Sequence, residues 1–166
     1  NSQMTDFQDW DMAVAQNRRL FTLENGKKLK HPAVFPLDLP LRHIQTWTNE
    51  GDLVFDPFMG SGTSLIEAQR MGRNSIGIEL QYDVAKEAHD RIITEKKEGI
   101  NSKVVVGDSR TCNIADILGS IGINRVQFAI LHPPYWDIVK FSDDPNDLSN
   151  CTTVDSFLKS FGNVVD

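Results

Sequence analysis

Only two cysteines, Cys112 and Cys151, occur in the chain. They lack metal-like spacing and are too few for a disulfide framework, so they read as free thiols in a reducing cytoplasm. Long apolar runs are missing too. The longest, such as residues 128–131, fall far short of the roughly 20 residues that a membrane span needs. The opening stretch is polar and acidic, unlike a secretory signal. Surplus positive charge is also lacking: 17 Lys and Arg stand against 23 Asp and Glu, a net charge of −6. That balance excludes a body that binds polyanions through its overall charge. Basic residues gather only locally, at Arg18, Arg19, Lys27, Lys28 and Lys30, with Glu24 the one acid among them. This cluster is either a solvated segment or a phosphate-contacting face.

What is present suits one globular domain: 166 residues, 40% of them hydrophobic, within the usual range for a single core. Residues 1–30 form a polar lead-in, and the core is expected over 31–166. A short amphipathic helix is predicted at 40–49, from Leu41, Ile44 and Trp47. An alternation then begins. Strands are predicted at 52–56, 75–80, 103–107 and 125–131, and helices at 63–71, 83–97, 114–118 and 153–165. Asp83 is the expected N-cap of the second of these helices, and Gly99 its stop. Strand and helix in regular succession imply an α/β fold: a Rossmann-like, doubly wound, mostly parallel sheet. Right-handed crossovers then bring the C-terminal ends of all strands to one rim, where such sheets bind ligands.

The unusual residues fall at that rim. After the first strand comes Asp56-Pro57-Phe58-Met59-Gly60-Ser61-Gly62-Thr63. Two glycines one residue apart allow close approach of backbone to a ligand. Leu65 stands where a dinucleotide fingerprint has its third glycine, and no Gly-Lys-Ser/Thr follows, so pyrophosphate is disfavoured. Asp56, just before the glycines, would repel phosphate and welcome a cationic ligand. Glu79 ends the second strand, where a carboxylate can accept both hydroxyls of a ribose. Asp108 ends the third, and can accept from an adenine amino group. A solvent-facing acid at a strand end is the alternative at either position. His132-Pro133-Pro134-Tyr135-Trp136 closes the fourth strand. Two prolines leave rigid carbonyls without competing local amides, beside rings on which a planar base can lie. A proline-kinked loop with core aromatics is the competing reading.

Asp56 to Thr63 resembles the S-adenosylmethionine motif D-P-F-x-G-S-G-T of the DNA amino-methyltransferases (adenine-N6 and cytosine-N4 DNA methylases). Gly72-Arg73-Asn74-Ser75-Ile76-Gly77-Ile78-Glu79 is similar to the stretch that follows it in that family. His31-Pro32-Ala33-Val34-Phe35-Pro36 resembles the family's H-P-x-x-x-P element, and His132-Pro133-Pro134-Tyr135 its catalytic [D/N/S]-P-P-[Y/F/W] motif. The resemblance implies a class I methyltransferase core that uses S-adenosyl-L-methionine and methylates DNA, in the setting of restriction–modification. It implies cofactor binding by His31, Pro32, Asp56, Pro57, Phe58, Gly60, Gly62, Thr63, Glu79 and Asp108. It implies catalysis by His132, Pro133, Pro134 and Tyr135, without a metal. The target base is swung out of the duplex. The side chain at 132 and the Pro133 carbonyl accept hydrogen bonds from its amino group, while Tyr135 stacks on it.

His132 departs from the family's Asp, Asn or Ser, and leaves adenine and cytosine both open as targets. The cofactor motifs precede the catalytic loop, the less common order among enzymes with the H-P-x-x-x-P form. Four strands are predicted where the family has seven, and no segment reads as a target-recognition region. The core is therefore expected to be truncated at its C-terminus, or completed by a partner chain. Otherwise the fourth strand would be an exposed apolar edge. An RNA guanine-N2 methyltransferase and a non-catalytic S-adenosylmethionine-binding subunit are the alternatives. The expected location is cytoplasmic, with no membrane partner.

Overall fold

A computed structural model describes residues 38–165. It begins with α1 (Asp38–Trp47), followed by β1 (Leu53–Asp56), α2 (Thr63–Arg70), β2 (Asn74–Glu79) and α3 (Tyr82–Thr94). Then come β3 (Ser102–Val106), α4 (Ile114–Gly119), β4 (Phe128–Ala129), a 3-10 turn (Leu148–Asn150) and α5 (Val154–Val165). All strand pairings are parallel, in the order β3-β2-β1-β4. The direction of winding therefore reverses between β1 and β4, which makes that crevice the switch point of the sheet.

Alternation along each strand sorts the apolar side chains between two faces. Val54 packs with Ile44 of α1 and Ala68 of α2, joined by Phe128 and Ile130. Leu53 and Ile76 point the other way, onto Leu118 of α4, with Phe55, Val105 and Ile114 around them. A third cluster joins α2 and α3 through Leu65, Ile66, Ala85, Ala88 and Ile92, with Met59 at its edge. Helices thus cover both faces, as the strand–helix alternation predicts. Gly77 in β2 lies under Met59: a Cβ there would sit 2.8 Å from the Met59 Cβ and 2.7 Å from its Cγ. Only glycine lets the first turn lie this close on the second strand.

Two elements differ from the expectation, α3 at both ends and β4. Helix α3 starts at Tyr82, with Gln81 as its N-cap and no capping side chain, so Asp83 sits inside the first turn instead of capping it. The same helix stops at Thr94 rather than at residue 97. The buried Gln69 side chain donates to the carbonyls of Ile92 (3.0 Å) and Glu95 (2.5 Å). Those two acceptors are thereby satisfied from outside the helix, and the chain can leave it. β4 pairs over only two residues. Its ladder extends through Gln127 N–H to Leu53 O (3.1 Å) and Ile130 N–H to Phe55 O (2.8 Å), after which Pro133 and Pro134 have no amides to offer. Among the described residues β4 is an edge of the sheet.

Helix α5 buries none of its residues completely. Its Phe161 ring stacks on Phe58 at 6.1 Å and on Phe157 at 6.2 Å. Through Phe58 it reaches the turn after β1. No helix among the described residues is long and apolar enough to cross a membrane.

Candidate active site

One cavity lies at the C-terminal rim of the sheet, and the segments after all four strands line it. Its volume, about 200 Å³, is far above that of a buried-water site. Pro57, Phe58, Met59, Gly60, Ser61 and Thr63 come from the turn after β1, and Glu79 from the end of β2. Asp108 and Arg110 follow β3, and His132, Pro133, Pro134 and Tyr135 follow β4. Of the predicted site residues, Asp56 and Gly62 lie behind this wall rather than in it. His31 and Pro32 lie outside the described residues.

The turn after β1 is held from several sides. Gly60 and Gly62 have φ of 52° and 79°, in the left-handed region that side chains disfavour. Gly62 answers a packing demand as well, since a Cβ on it would lie 3.2 Å from Ala88 Cβ and Ile92 Cδ1 of α3. Its glycine thus serves helix packing, where close approach to a ligand was expected. The Gly60 amide donates to Glu79 Oε2 (3.1 Å), the Met59 amide to Ile78 O (3.0 Å), and Arg91 Nη1 to Ser61 O (2.6 Å). Ser109 Oγ donates to the Pro57 carbonyl, which ties the third strand's loop to the first.

Asp56 is turned inward. One oxygen accepts the Phe58 amide at 3.0 Å, and the other accepts the Ser64 hydroxyl from the first turn of α2. Only 1% of the residue is exposed, and burial pushes its carboxyl up to about 6, against the pull of those two donors. Asp56 therefore braces the turn from behind. Its raised value carries a stability consequence. A carboxyl whose folded pKa exceeds its unfolded one contributes stability that is present at low pH and lost as pH rises. For Asp56 the contribution is complete below its ordinary value of 3.8 and lost as pH rises through about 6. The two-unit gap corresponds to about 3 kcal/mol. Asp56→Asn keeps the shape and removes the charge, so urea unfolding of the variant should lose this part of the pH dependence. Its stability at pH 8, relative to the native chain, should exceed its relative stability at pH 4. Equal differences at both pH values would mean that Asp56 is not the group that titrates.

Glu79 is 9% exposed. It accepts the Gly60 amide and, through Oε1, the Gln81 amide at 2.9 Å. Burial is the main cause of its raised pKa, with the nearby acids Asp147 and Asp56 adding to it. An ionised carboxylate has about four acceptor positions. Two are filled by these amides, which leaves capacity toward the cavity. Asp108, beyond β3, is paired with Arg110: Nε lies 2.9 Å from Oδ1, and Nη2 lies 2.6 Å from Oδ2. Desolvation works against this carboxylate, yet the guanidinium and the Arg110 amide together hold its pKa below the ordinary range. Arg110 Nη2 also donates to Asn146 Oδ1 at 2.9 Å.

That contact introduces lining residues that the sequence did not disclose: Val139, Phe141, Asn146, Asp147 and Leu148. All but Val139 belong to a turn built on Asp147. Its Oδ1 accepts the Ser149 amide (2.9 Å) and hydroxyl (2.7 Å), and its Oδ2 accepts the Ser142 hydroxyl (2.7 Å). The signal for this turn was present in the run Ser142-Asp143-Asp144-Pro145-Asn146-Asp147, because such residues bond their own backbone. It carried no hint that the turn returns to the cavity.

At the fourth strand, His132 Nε2 lies 2.6 Å from the Tyr135 hydroxyl. The rings meet edge-on, with centroids 5.3 Å apart. Burial lowers the His132 pKa, so the imidazole is neutral at neutral pH. With its proton on Nδ1 it accepts the phenolic hydrogen at Nε2.

A parallel sheet with all four strand-end segments around one cavity defines an α/β ligand-binding core of the nucleotide-binding kind. The DNA methylase family matches residues 7–90, and the chain belongs to that family. An orphan methyltransferase of Bacillus amyloliquefaciens, M.BamHII, is 48% identical over 63 residues, which cover 38% of this chain and 24% of the relative. The Type II methyltransferase M.MthZI of Methanothermobacter thermautotrophicus is 44% identical over 84 residues, 50% of this chain and 22% of its own length. The chain thus spans about a quarter of the curated relatives it matches. Among solved structures, a putative DNA modification methylase from Thermus thermophilus, complexed with S-adenosyl-L-methionine, is 29% identical. That similarity covers 64% of this chain and 44% of the other, with a TM-score of 0.39.

Proposed function

We propose that this chain is the cofactor-binding and catalytic core of an enzyme that transfers a methyl group from S-adenosyl-L-methionine to the exocyclic amino group of adenine or cytosine in DNA. The observation that carries this reading is the meeting of Glu79, the Phe58–Ser61 turn and the His132–Tyr135 loop around one cavity. The residues suit the cofactor. Glu79 is buried, ionisable and only half used by its two amides, which fits it to accept the hydroxyls of a ribose. Phe58, Leu80 and Leu148 give the same cavity apolar surface, of the kind a flat adenine ring needs. When bound, the cofactor supplies an electrophilic sulfonium methyl group.

The chain's own work is to bind and align. His132 is neutral, and its Nε2 faces a hydrogen-bond donor, the Tyr135 hydroxyl. A base amino group is also a donor and can take that position. Pro133 and Pro134 line the cavity beside it, and the Pro133 carbonyl is the second acceptor. With both amino hydrogens engaged, the nitrogen lone pair is directed out of the base plane. Alignment of this sort supplies much of the rate in a two-substrate transfer. The Tyr135 ring is 60% exposed and so is open to stack on a base, a contact worth about 1–3 kcal/mol. DNA as substrate, and target recognition by a further segment or a partner chain, complete the reading.

The test is transfer from labelled S-adenosyl-L-methionine to unmodified plasmid DNA, with unmodified tRNA in parallel. Label in DNA that survives on N6-methyladenine or N4-methylcytosine after digestion is the expected result. Label in tRNA alone would move the substrate to RNA. The assay uses the complete protein with its recognition segment or partner chain; label in neither from that protein, with tight cofactor binding, would make this core a binding module.

A further inference from the structure

Trp136 is the one non-glycine residue among those described with a positive φ, 49°. For a bulky side chain this is a true outlier, and strain of this kind persists only where its surroundings enforce it. The enforcing contacts are visible. The indole Nε1–H of Trp136 donates to the Cys151 carbonyl at 2.8 Å, so the strained residue is tied to the chain that runs from the Asp147 turn into α5. The Ile138 amide donates to the Tyr135 carbonyl at 3.2 Å, which closes a turn around Trp136. Immediately before the strained residue stands Tyr135, whose hydroxyl meets His132 Nε2 at 2.6 Å. Tyr135 gets little support from burial, being 60% exposed. Its direction therefore depends on the backbone that carries it.

We infer that Trp136 is a positioning residue: its strained backbone, anchored by the indole bond to Cys151, aims the Tyr135 ring across the cavity mouth and onto His132. The inference rests on the proposed role of His132 and Tyr135 at the base. It adds a residue that touches neither base nor cofactor. It also gives the strain a use, since a relaxed backbone at this position would swing the tyrosine away from the histidine. The Asp147 turn is linked to the catalytic loop through the same bond, because residue 151 follows directly on the 3-10 turn (Leu148–Asn150).

Three substitutions separate aim from mere packing. Trp136→Phe keeps a ring and loses the donor. Trp136→Ala loses both ring and donor. Trp136→Gly loses both and relieves the backbone, since glycine takes a positive φ without cost. Trp136→Gly should therefore melt above Trp136→Ala. Even so, all three variants should lower the single-turnover rate of methyl transfer to unmodified plasmid DNA at least tenfold, with S-adenosyl-L-methionine affinity by calorimetry within twofold of the native protein. A second readout needs no DNA: the His132 imidazole, followed by nitrogen NMR across pH, should titrate higher in all three variants, because the loosened tyrosine lets water reach it. Rates within twofold of native, or rates that follow the melting temperatures with Trp136→Gly ahead of Trp136→Ala, would overturn the inference. An unmoved His132 titration would overturn it as well. Native protein that binds cofactor but methylates no DNA counts against the proposed substrate, and the titration then decides the role of Trp136.

Discussion

Glu79→Ala is expected to weaken S-adenosyl-L-methionine binding by about 1–3 kcal/mol, roughly 5-fold to 150-fold, the cost of hydrogen bonds to a charged acceptor. A buried carboxylate is costly unless its lone pairs are used, and Glu79 is satisfied by protein on one side only, through Gly60 and Gln81. A polyhydroxylated ligand would complete it. Glu79→Gln should fall between the two, since the amide keeps one acceptor oxygen and adds a donor that meets the amides badly. The Gly60 contact means that either variant also loosens the glycine turn, so unfolding must be measured beside binding. Burial has raised the Glu79 pKa, and a protonated carboxyl accepts less well. Native affinity should therefore fall on mild acidification, and the Glu79→Ala variant should lack that part of the fall. Calorimetry that gives equal affinity for the native and alanine forms would remove Glu79 from the site.

Most of what defines the rim could be read before any coordinates. The glycines of the first turn, the acids at 79 and 108, and the paired prolines each follow a strand, and parallel winding puts them together. What could not be read is which way a side chain turns once it arrives. Asp56 looked like a carboxylate offered to a cation, but Ser64, one turn into α2, reaches back to it and holds it inside. Nothing in the spacing of the two residues declares that bond, because it exists only when the strand-to-helix turn has closed. Asp108 is a milder case: Arg110, two residues on, claims its carboxylate. A basic residue that near was a visible competitor for the adenine contact. The Asp147 turn was legible as a turn and illegible as part of the site, since its place comes from tertiary contacts with Arg110 and Gln81. The strand ends were legible only to within a residue or two, except at β4. There a predicted strand of seven residues yields a two-residue ladder, because only β1, itself four residues long, is beside it.

His132→Ala is expected to abolish most methyl transfer, by at least about 100-fold, the low end of what a positioned proton-handling side chain supplies. Cofactor binding should survive, since the groups suited to it stand on the turn after β1 and at the end of β2. The pH dependence separates this residue from its neighbours. A neutral imidazole accepts a hydrogen bond and an imidazolium does not. Burial lowers the His132 pKa below its ordinary 6.5, so on the proposed reading the native protein should hold its rate through neutrality and lose it only in clearly acidic buffer. The sign for stability is the same: a histidine whose charged form is disfavoured in the fold favours unfolding as pH drops past 6.5. Folding must therefore be monitored in the same buffers. His132→Asp should carry the acidic loss of rate to still lower pH, because a carboxylate remains an acceptor there. Tyr135→Phe is the internal control. It removes the hydroxyl that occupies Nε2 in this structure and keeps the ring, so its rate should stay within about threefold of native if stacking is what Tyr135 contributes. Full activity in His132→Ala would place the acceptor elsewhere. A Tyr135→Phe rate as low as that of the alanine variant would instead make the histidine–tyrosine pair, and not the imidazole alone, the unit that receives the amino group.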